Sequence, residues 1–188
     1  IITLEKARDA GLRIPEYIIT TRRDEAKLFV DRHKSVIVKA IDNPFTLKMN
    51  NHWISTYTET IDNKFVENLP CKFLPTFFQT EIKKEIEIRT FYFCGECYSM
   101  AIFSQKNNQT KTDYRKYDDD CPNRNVPFKL PDTIEKNIAS LMEKMGLLSG
   151  SIDFIYGTDN NFYFLEVNPI GQFGNVSYNC NYCLEQKI

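Results

Sequence analysis

The sequence predicts an α+β fold, on the evidence of a strand–helix–strand unit, a run of antiparallel strands and a C-terminal hairpin. Residues 14–20 and 35–41 are predicted strands on either side of an amphipathic helix over 22–33. After Pro70, the runs PTFFQTEI, EIEIRTFYF and CYSMAIFSQ predict consecutive strands that are mostly antiparallel. The runs SIDFIY and NFYFLEV, joined by a short polar turn, predict the hairpin.

Two further helices are predicted from their capping residues. Thr3 is the predicted N-cap of the first helix, which Gly11 ends. Asp132 is the predicted N-cap of the second helix, with Glu135 at the capping-box position and Gly146 at the stop.

Two polar stretches interrupt these elements. Residues 43–69 are predicted to hold a flap, and residues 106–127, rich in Asn and Asp, are a predicted long loop. Loops of that length are usually functional or disordered. We predict two subdomains: residues 1–72, which carry the flap, and residues 73–188.

Composition and charge set loose bounds on function. The chain has 188 residues and is 42% hydrophobic, enough for one sizeable core or two small lobes. Its net charge of −1 gives no overall electrostatic reason to expect nucleic acid or an anionic membrane as a partner. No apolar run reaches the roughly 20 residues that span a bilayer. Since the chain begins at Ile1 without Met, we expect an excerpt of a longer, cytoplasmic protein.

Three residues near the C-terminus predict a site for a hard cation. Asp153 lies on the first strand of the hairpin, and Glu166 and Asn168 lie on the second, with Glu166 13 residues after Asp153. Because side chains alternate along a strand, Glu166 and Asn168 project together while Val167 points away. Such a cluster suits Mg²⁺ bound by a few protein oxygens and nucleotide phosphates. Alternatively, these residues face solvent on an edge hairpin.

Lys39 is the single charge in the apolar strand SVIVKAI. A buried ammonium is costly unless an anion meets it, and a phosphate would serve. Alternatively, Lys39 lies on an edge strand and its side chain reaches water. Gln79 and Glu81 are predicted to share one face of the strand PTFFQTEI.

Two acid-x-Arg triplets follow along the chain. Glu87 and Arg89 are predicted to share a face of their strand, where they either form a surface salt bridge or line a cleft. Asp113 and Arg115 repeat the spacing within the long loop, where such a triplet is more often solvated.

Four of the six cysteines form two Cys-x-x-Cys pairs, Cys94 with Cys97 and Cys180 with Cys183. This spacing is compatible with structural zinc. Alternatively, CGEC is a hairpin turn between two strands, and the cysteines are reduced thiols of a cytosolic protein.

Taken in order, these residues resemble the ATP-grasp fold. The matching residues are Lys39 in VIVKAI, Glu81 and Ile82 in QTEI, Asp153 in GSIDFIY, and Glu166 with Asn168 in LEVNP. The resemblance implies two α/β subdomains that grip ATP between them. It places Lys39 on the phosphates and Mg²⁺ on the three C-terminal ligands, with Gln79, Glu81 and Ile82 also binding the nucleotide. Family members carry a preceding α/β domain, and this chain begins after it.

Within ATP-grasp, the chain is most similar to the ligases that make microviridins and other graspetides, in particular the grasp-with-spasm peptide maturases. The tail VNPIGQFGNVSYNCNYCLEQKI and the two triplets carry this similarity. The resemblance implies that ATP phosphorylates an Asp or Glu side chain of a ribosomal precursor peptide, and that a Ser, Thr or Lys then closes an ω-ester or ω-amide ring. It gives Glu87, Arg89, Asp113 and Arg115 catalytic roles. The implied partners are the precursor's leader and core, and a homodimer is an open expectation.

Two other functions stay open from the sequence. An amino-acid ligase that adds glutamate-like residues to a peptide or protein would use the same ATP chemistry. A binding module of ATP-grasp type would recognise a peptide without any reaction. The segment NNHWISTYTETID contains no glycine, whereas many ATP-grasp enzymes have a glycine-rich phosphate lid there, so no lid residue is assigned.

Overall fold

We obtained a computed structural model of the chain, which describes residues 2–41, 46–49, 52–55, 58–104 and 123–188. The helices are α1 (Ile2–Asp9), α2 (Arg23–Arg32), α3 (Asn63–Glu67), α4 (Asp132–Met145) and α5 (Gly174–Cys180), followed by a 3₁₀ helix at Leu184–Gln186. The strands are β1 (Tyr17–Arg22), β2 (Val36–Lys39), β3 (Thr46–Met49), β4 (His52–Ser55), β5 (Glu59–Ile61), β6 (Lys72–Thr80), β7 (Lys84–Phe93), β8 (Glu96–Phe103), β9 (Arg124–Phe128), β10 (Ser149–Gly157) and β11 (Phe162–Asn168). Among these helices, none is both long and apolar enough to cross a membrane.

The chain forms two compact units, and the boundaries between them differ from the boundary predicted at residue 72. The smaller unit is Pro15–Glu81, and the larger unit combines Ile1–Ile14 with Ile82–Ile188. The reason is strand pairing, because β6 joins the sheet of β1 and β2 instead of the sheet of β7. The N-terminal helix α1 belongs to the larger unit because it packs against α4 and β11.

The smaller unit is a four-stranded sheet of order β1-β6-β2-β5 with helices on one face. The predicted strand–helix–strand unit is confirmed, but β6 lies between β1 and β2 and runs antiparallel to both. The core on the helical face joins residues of α2 and α3 to the inner strands: Ala26, Phe29, Val30, Val36, Val66 and Phe78. The opposite face therefore carries the alternate side chains of β2 and β6.

The larger unit is an antiparallel five-stranded sheet of order β11-β10-β7-β8-β9. On one face, Ile88, Ile152, Phe154 and Phe164 are almost completely buried. On the other face, Phe91 packs with Met100 and Ile102 against α5 and the 3₁₀ helix. This second cluster shares its face with Arg89, because Arg89 pairs with Met100.

Helix α4 ends at its predicted stop, but its N-cap lies one residue before the predicted one. The helix spans Asp132–Met145 as expected, but its N-cap is Pro131, so the prediction of Asp132 as the cap is wrong by one residue. Gly146, with φ of +68°, ends the helix in the left-handed conformation that glycine adopts without strain.

Two backbone hydrogen bonds attach the β10–β11 hairpin to the segments where the chain passes from one unit to the other. The Phe164 amide donates to the Arg13 carbonyl at 2.8 Å, and the Thr158 amide donates to the Lys83 carbonyl at 2.8 Å. Residues 11–14 and 82–84 therefore belong structurally to this hairpin.

Leu184→Ala should lower the free energy of unfolding by about 2–5 kcal/mol, because Leu184 is fully buried in the cluster of Phe91, Met100 and Val176. Urea unfolding followed by circular dichroism measures the change. Ile188→Ala is the matched control, since Ile188 is 56% exposed, and it should have little effect. Equal losses for the two variants would mean that the C-terminal segment does not pack on the sheet.

Candidate functional site

A row of charged residues crosses three neighbouring strands of the larger unit. Asp153 in β10 lies opposite Glu166 in β11 and opposite Arg89 in β7. Residues that face each other in antiparallel strands project to the same side of the sheet. Asn168 joins this side because it pairs with Ser151, two residues before Asp153. Asp153, Glu166 and Asn168 therefore lie on one side of the sheet, with Asp153 on the inner strand β10 and with Asn168 and the exposed Glu166 on the edge strand β11.

Arg89 and Asp153 form an ion pair within this row. The Arg89 Nη1 atom lies 3.4 Å from Oδ2 and 3.5 Å from Oδ1 of Asp153. Only 12% of the arginine side chain and 17% of the aspartate side chain are exposed. Because both side chains are largely buried, this pair is not a surface salt bridge, and water screens it poorly.

The backbone after β11 fixes the side chain of Asn168. The Ile170 amide donates to the Asn168 Oδ1 atom at 3.1 Å. Gly171 follows with φ of +58°, and a Cβ atom there would lie 3.0 Å from the Phe91 ring. The turn thus needs glycine, and its backbone fixes the Asn168 amide oxygen through the Ile170 amide.

Glu87 contacts Lys84 and Ser104, two residues that the sequence did not indicate as part of the site. Its Oε1 atom accepts hydrogen bonds from the Lys84 ammonium and from the Ser104 hydroxyl, the latter at 3.0 Å. Lys84 and Glu87 are each 8% exposed, and Ser104 is fully buried. Glu87 is thus held in a charged network, and the alternative of a surface Glu87–Arg89 salt bridge is wrong.

An irregular strand explains why Lys84 was missed. In a regular strand, Lys84 and Glu87 would face opposite sides because they are three residues apart. The register shifts at this end of β7, where Tyr156 pairs with Ile86 but Gly157 pairs with Lys84. The shift turns Lys84 to the side of Glu87, and no local sequence pattern announces it.

The second predicted triplet, Asp113 and Arg115, lies outside the described residues, in the segment 105–122. This segment follows directly after Ser104.

In the smaller unit, Lys39 and Gln79 share the face of the sheet opposite the helices. Lys39 pairs with Phe77, and Ile37 pairs with Gln79, which places all four side chains on one side. The Lys39 Nζ atom lies 5.0 Å from the centre of the Phe77 ring. Because β2 lies between β6 and β5, the alternative of an edge strand for Lys39 is wrong.

Gln79 is 1% exposed, and its amide nitrogen has no hydrogen-bond partner among the residues that the structure describes. A buried donor without a partner is costly, and ligand-binding positions are one place where proteins retain such donors.

Glu81 follows the last residue of β6, and both of its carboxylate oxygens accept hydrogen bonds. The Ser35 hydroxyl donates to Oε2 and the Thr60 hydroxyl donates to Oε1 at 3.3 Å. The Glu81 amide also donates to the Ser35 carbonyl at 3.0 Å. Ile82, the next residue, is the first of the larger unit's second segment.

The cysteines form no disulfide in the described part of the chain, where Cys71, Cys94, Cys97, Cys180 and Cys183 are free. Cys94 and Gly95 have φ of +45° and +99° and form the two-residue turn between β7 and β8, which confirms the hairpin interpretation of CGEC. Burial raises the pKa of the Cys97 thiol to about 12. Within the described ranges, no three His, Cys, Asp or Glu side chains are grouped as metal ligands. Cys121 lies outside these ranges.

Lys84→Met should lower the free energy of unfolding by about 3–5 kcal/mol, because it leaves the buried Glu87 carboxylate without its cation. The double variant Lys84→Met/Glu87→Gln should recover part of this loss. Chemical unfolding of wild type, Lys84→Met, Glu87→Gln and the double variant measures the coupling. Lys129→Met is the control: Lys129 also contacts a carboxylate, that of Glu135, but is 73% exposed, so its effect should be far smaller. Similar losses for Lys84→Met and Lys129→Met would contradict the buried network.

Comparison with known proteins places this arrangement in a fold. No protein-family model and no curated protein matches the chain. A solved Chryseobacterium gregarium RiPP-associated ATP-grasp ligase, in complex with ADP and a leader and core peptide, matches with a TM-score of 0.86 and 29% identity over 92% of this chain and 52% of its own. The macrocyclase MdnC of Microcystis aeruginosa MRC, bound with its precursor peptide MdnA, matches with a TM-score of 0.78 and 30% identity over 92% of this chain and 53% of its own.

A third structure supports the fold at lower identity. The ATP-grasp ligase PsnB, complexed with a phosphomimetic variant of its minimal precursor, Mg and ADP, matches with a TM-score of 0.74 and 19% identity over 95% of this chain. The chain spans about half the length of each of these proteins, at 52%, 53% and 52%. The chain therefore has the ATP-grasp ligase fold, in the form found in RiPP-associated ATP-grasp ligases and macrocyclases.

Proposed function

We propose that this chain is the nucleotide-binding and catalytic part of an ATP-dependent carboxylate ligase that closes rings in a ribosomal precursor peptide. The observation that carries the proposal is the row of Arg89, Asp153 and Glu166, in which two carboxylates lie on the same side of the sheet as an arginine. The leader and core peptide of the Chryseobacterium ligase and the precursor of MdnC support a peptide as the substrate. A cytoplasmic location and a homodimer stay predictions.

The donor atoms of Asp153, Glu166 and Asn168 fit Mg²⁺. All three residues offer oxygen, and two of them are carboxylates, which is the ligand set that this cation prefers. We assign these three residues as the metal ligands.

Lys39, Gln79, Glu81 and Ile82 are the proposed nucleotide-binding residues. Lys39 supplies positive charge for phosphates, and the buried Gln79 amide supplies a donor. Glu81 is held rigid by Ser35 and Thr60, so its backbone is fixed where the chain leaves the strand. The ADP bound to the Chryseobacterium ligase supports a nucleotide as the ligand.

The chemistry requires charge neutralisation more than a protein nucleophile. ATP supplies a phosphoryl group that turns a carboxylate oxygen of the peptide into a leaving group. In the proposed reaction, Arg89 and Arg115 bind the peptide carboxylate through paired N–H donors and stabilise the acyl phosphate. Glu87 is held by Lys84 and Ser104 and positions the neighbouring strand. Asp113 orients Arg115 or accepts a proton from the attacking hydroxyl.

The full-length enzyme, given ATP, Mg²⁺ and its precursor peptide, should produce a peptide whose mass is lower by one water for each ring. Mass spectrometry measures this loss. Asp153→Asn and Glu166→Gln should each abolish the loss while peptide binding persists, because they weaken the metal site without substituting Arg89.

Other outcomes separate the alternatives. A gain in peptide mass would identify an amino-acid ligase. An unchanged mass with peptide binding retained would favour a binding module. Unchanged product yield in both variants would remove the metal assignment.

Gln79→Met should raise the free energy of unfolding of the ligand-free protein by about 1–3 kcal/mol and weaken ADP binding, because it replaces a buried donor that has no described partner. Urea unfolding and calorimetric titration with ADP measure the two effects. Gln186→Met, at an exposed position, is the control and should change neither quantity. Full ADP affinity in Gln79→Met would exclude Gln79 from the nucleotide site.

A further inference from the structure

We infer that Arg89 competes with the divalent cation for Asp153, so that cation binding releases the arginine for the substrate carboxylate. The inference rests on the proposed metal site and adds an order of binding to it. The ion pair between Arg89 and Asp153, inside the proposed ligand set, is the observation behind it.

The position of Asp153 in the row allows the exchange. Its carboxylate lies between a positive side chain on β7 and a second carboxylate, Glu166, on β11. With Arg89 as its neighbour, the Asp153 charge is balanced by the protein itself. With a cation shared between Asp153 and Glu166, that balance comes from the metal.

Because the site is largely buried, Arg89 and the divalent cation compete for Asp153, and both cannot bind it without a cost in free energy. At 12% and 17% exposure, Arg89 and Asp153 are poorly screened by water. A divalent cation on Asp153 places further positive charge within a few ångströms of the guanidinium, which weakens the ion pair. Arg89 then carries N–H donors turned away from Asp153, and a carboxylate of the substrate is the group that they bind best.

The consequence is a coupling between two ligands. Because linkage is reciprocal, a cation that raises the affinity of Arg89 for the peptide carboxylate is itself bound more tightly when that carboxylate is present. The residues thus favour binding of the metal nucleotide before the reactive carboxylate. A carboxylate that arrives first meets an arginine that is already paired.

The test measures metal binding directly, with Mn²⁺ as the probe and with ADP but no peptide present. In the full-length protein, Arg89→Gln should bind Mn²⁺ at least about fivefold more tightly than wild type, the lower end of typical coupling between sites. Electron paramagnetic resonance of free Mn²⁺ gives the affinity. The Mn²⁺ affinity of Arg89→Lys, which keeps the charge but loses the planar guanidinium, should lie between those of wild type and Arg89→Gln.

Arg124→Gln is the matched control, because it removes the same charge from an exposed position on β9 of the same sheet. Its Mn²⁺ affinity should equal that of wild type. Arg89→Gln with unchanged or weaker Mn²⁺ binding would overturn the inference. Wild type and Asp153→Asn that both fail to bind Mn²⁺ would instead overturn the proposed metal site itself.

A second measurement needs no substitution at Arg89. In wild-type protein with ¹⁵N-labelled arginine, Mg²⁺ with ADP should speed rotation of the Arg89 guanidinium, because its carboxylate partner is lost. Nuclear magnetic resonance of the arginine side chains detects this change. A guanidinium that stays rigid at saturating Mg²⁺, measured without peptide, would also overturn the inference.

Discussion

The pairing of β10 on both of its sides is the constraint on which the candidate site depends. β7 and β11 each run antiparallel to β10, and this places Arg89, Asp153 and Glu166 in one row. A slip of one residue would turn every side chain of β10 to the wrong face. Ile152 and Phe154 oppose such a slip, because both are buried on the other face and would be exposed by it. Burial of the apolar side chains on one face of β10 therefore sets the register that brings the charged side chains together on the other face.

Two ion pairs also lie on the charged face of the sheet before any ligand arrives. Each of the two buried carboxylates on this face has a cationic neighbour on β7: Arg89 for Asp153 and Lys84 for Glu87. A buried charge is costly unless an opposite charge meets it, and these two pairs lower that cost. The two pairs differ in what surrounds them. Glu87 also accepts a hydrogen bond from the buried Ser104, whereas Asp153 lies opposite a second carboxylate, that of Glu166.

Periodicity was sufficient to put Glu166 and Asn168 on one face of β11. They share the side of Asp153, although the register of β10 and β11 shifts between Asp153 and Phe154, and the helix over 132–145 was predicted to within a residue. The assignment of β6 to the other sheet was missed because its apolar pattern fits either sheet, and only the pairing with β1 and β2 decides. Lys84 was missed because a register shift reverses its side, and α5 was missed because seven residues are too few for a clear helical period. Cross-strand partners such as Arg89 and Asp153, 64 residues apart, are set by topology and not by local sequence.

The discontinuous larger unit has a consequence for the order in which the chain folds during synthesis. Pro15–Glu81 is continuous in sequence, so the smaller unit can form as soon as it leaves the ribosome. Helix α1 precedes the smaller unit in sequence, yet its partners in α4 and β11 are made more than a hundred residues later. Until then its buried residues, Leu4 and Ala7, have no core to enter. A helix that is made before the smaller unit is thus packed only after that unit is complete, and one of the two elements it packs against is the strand that carries Glu166 and Asn168.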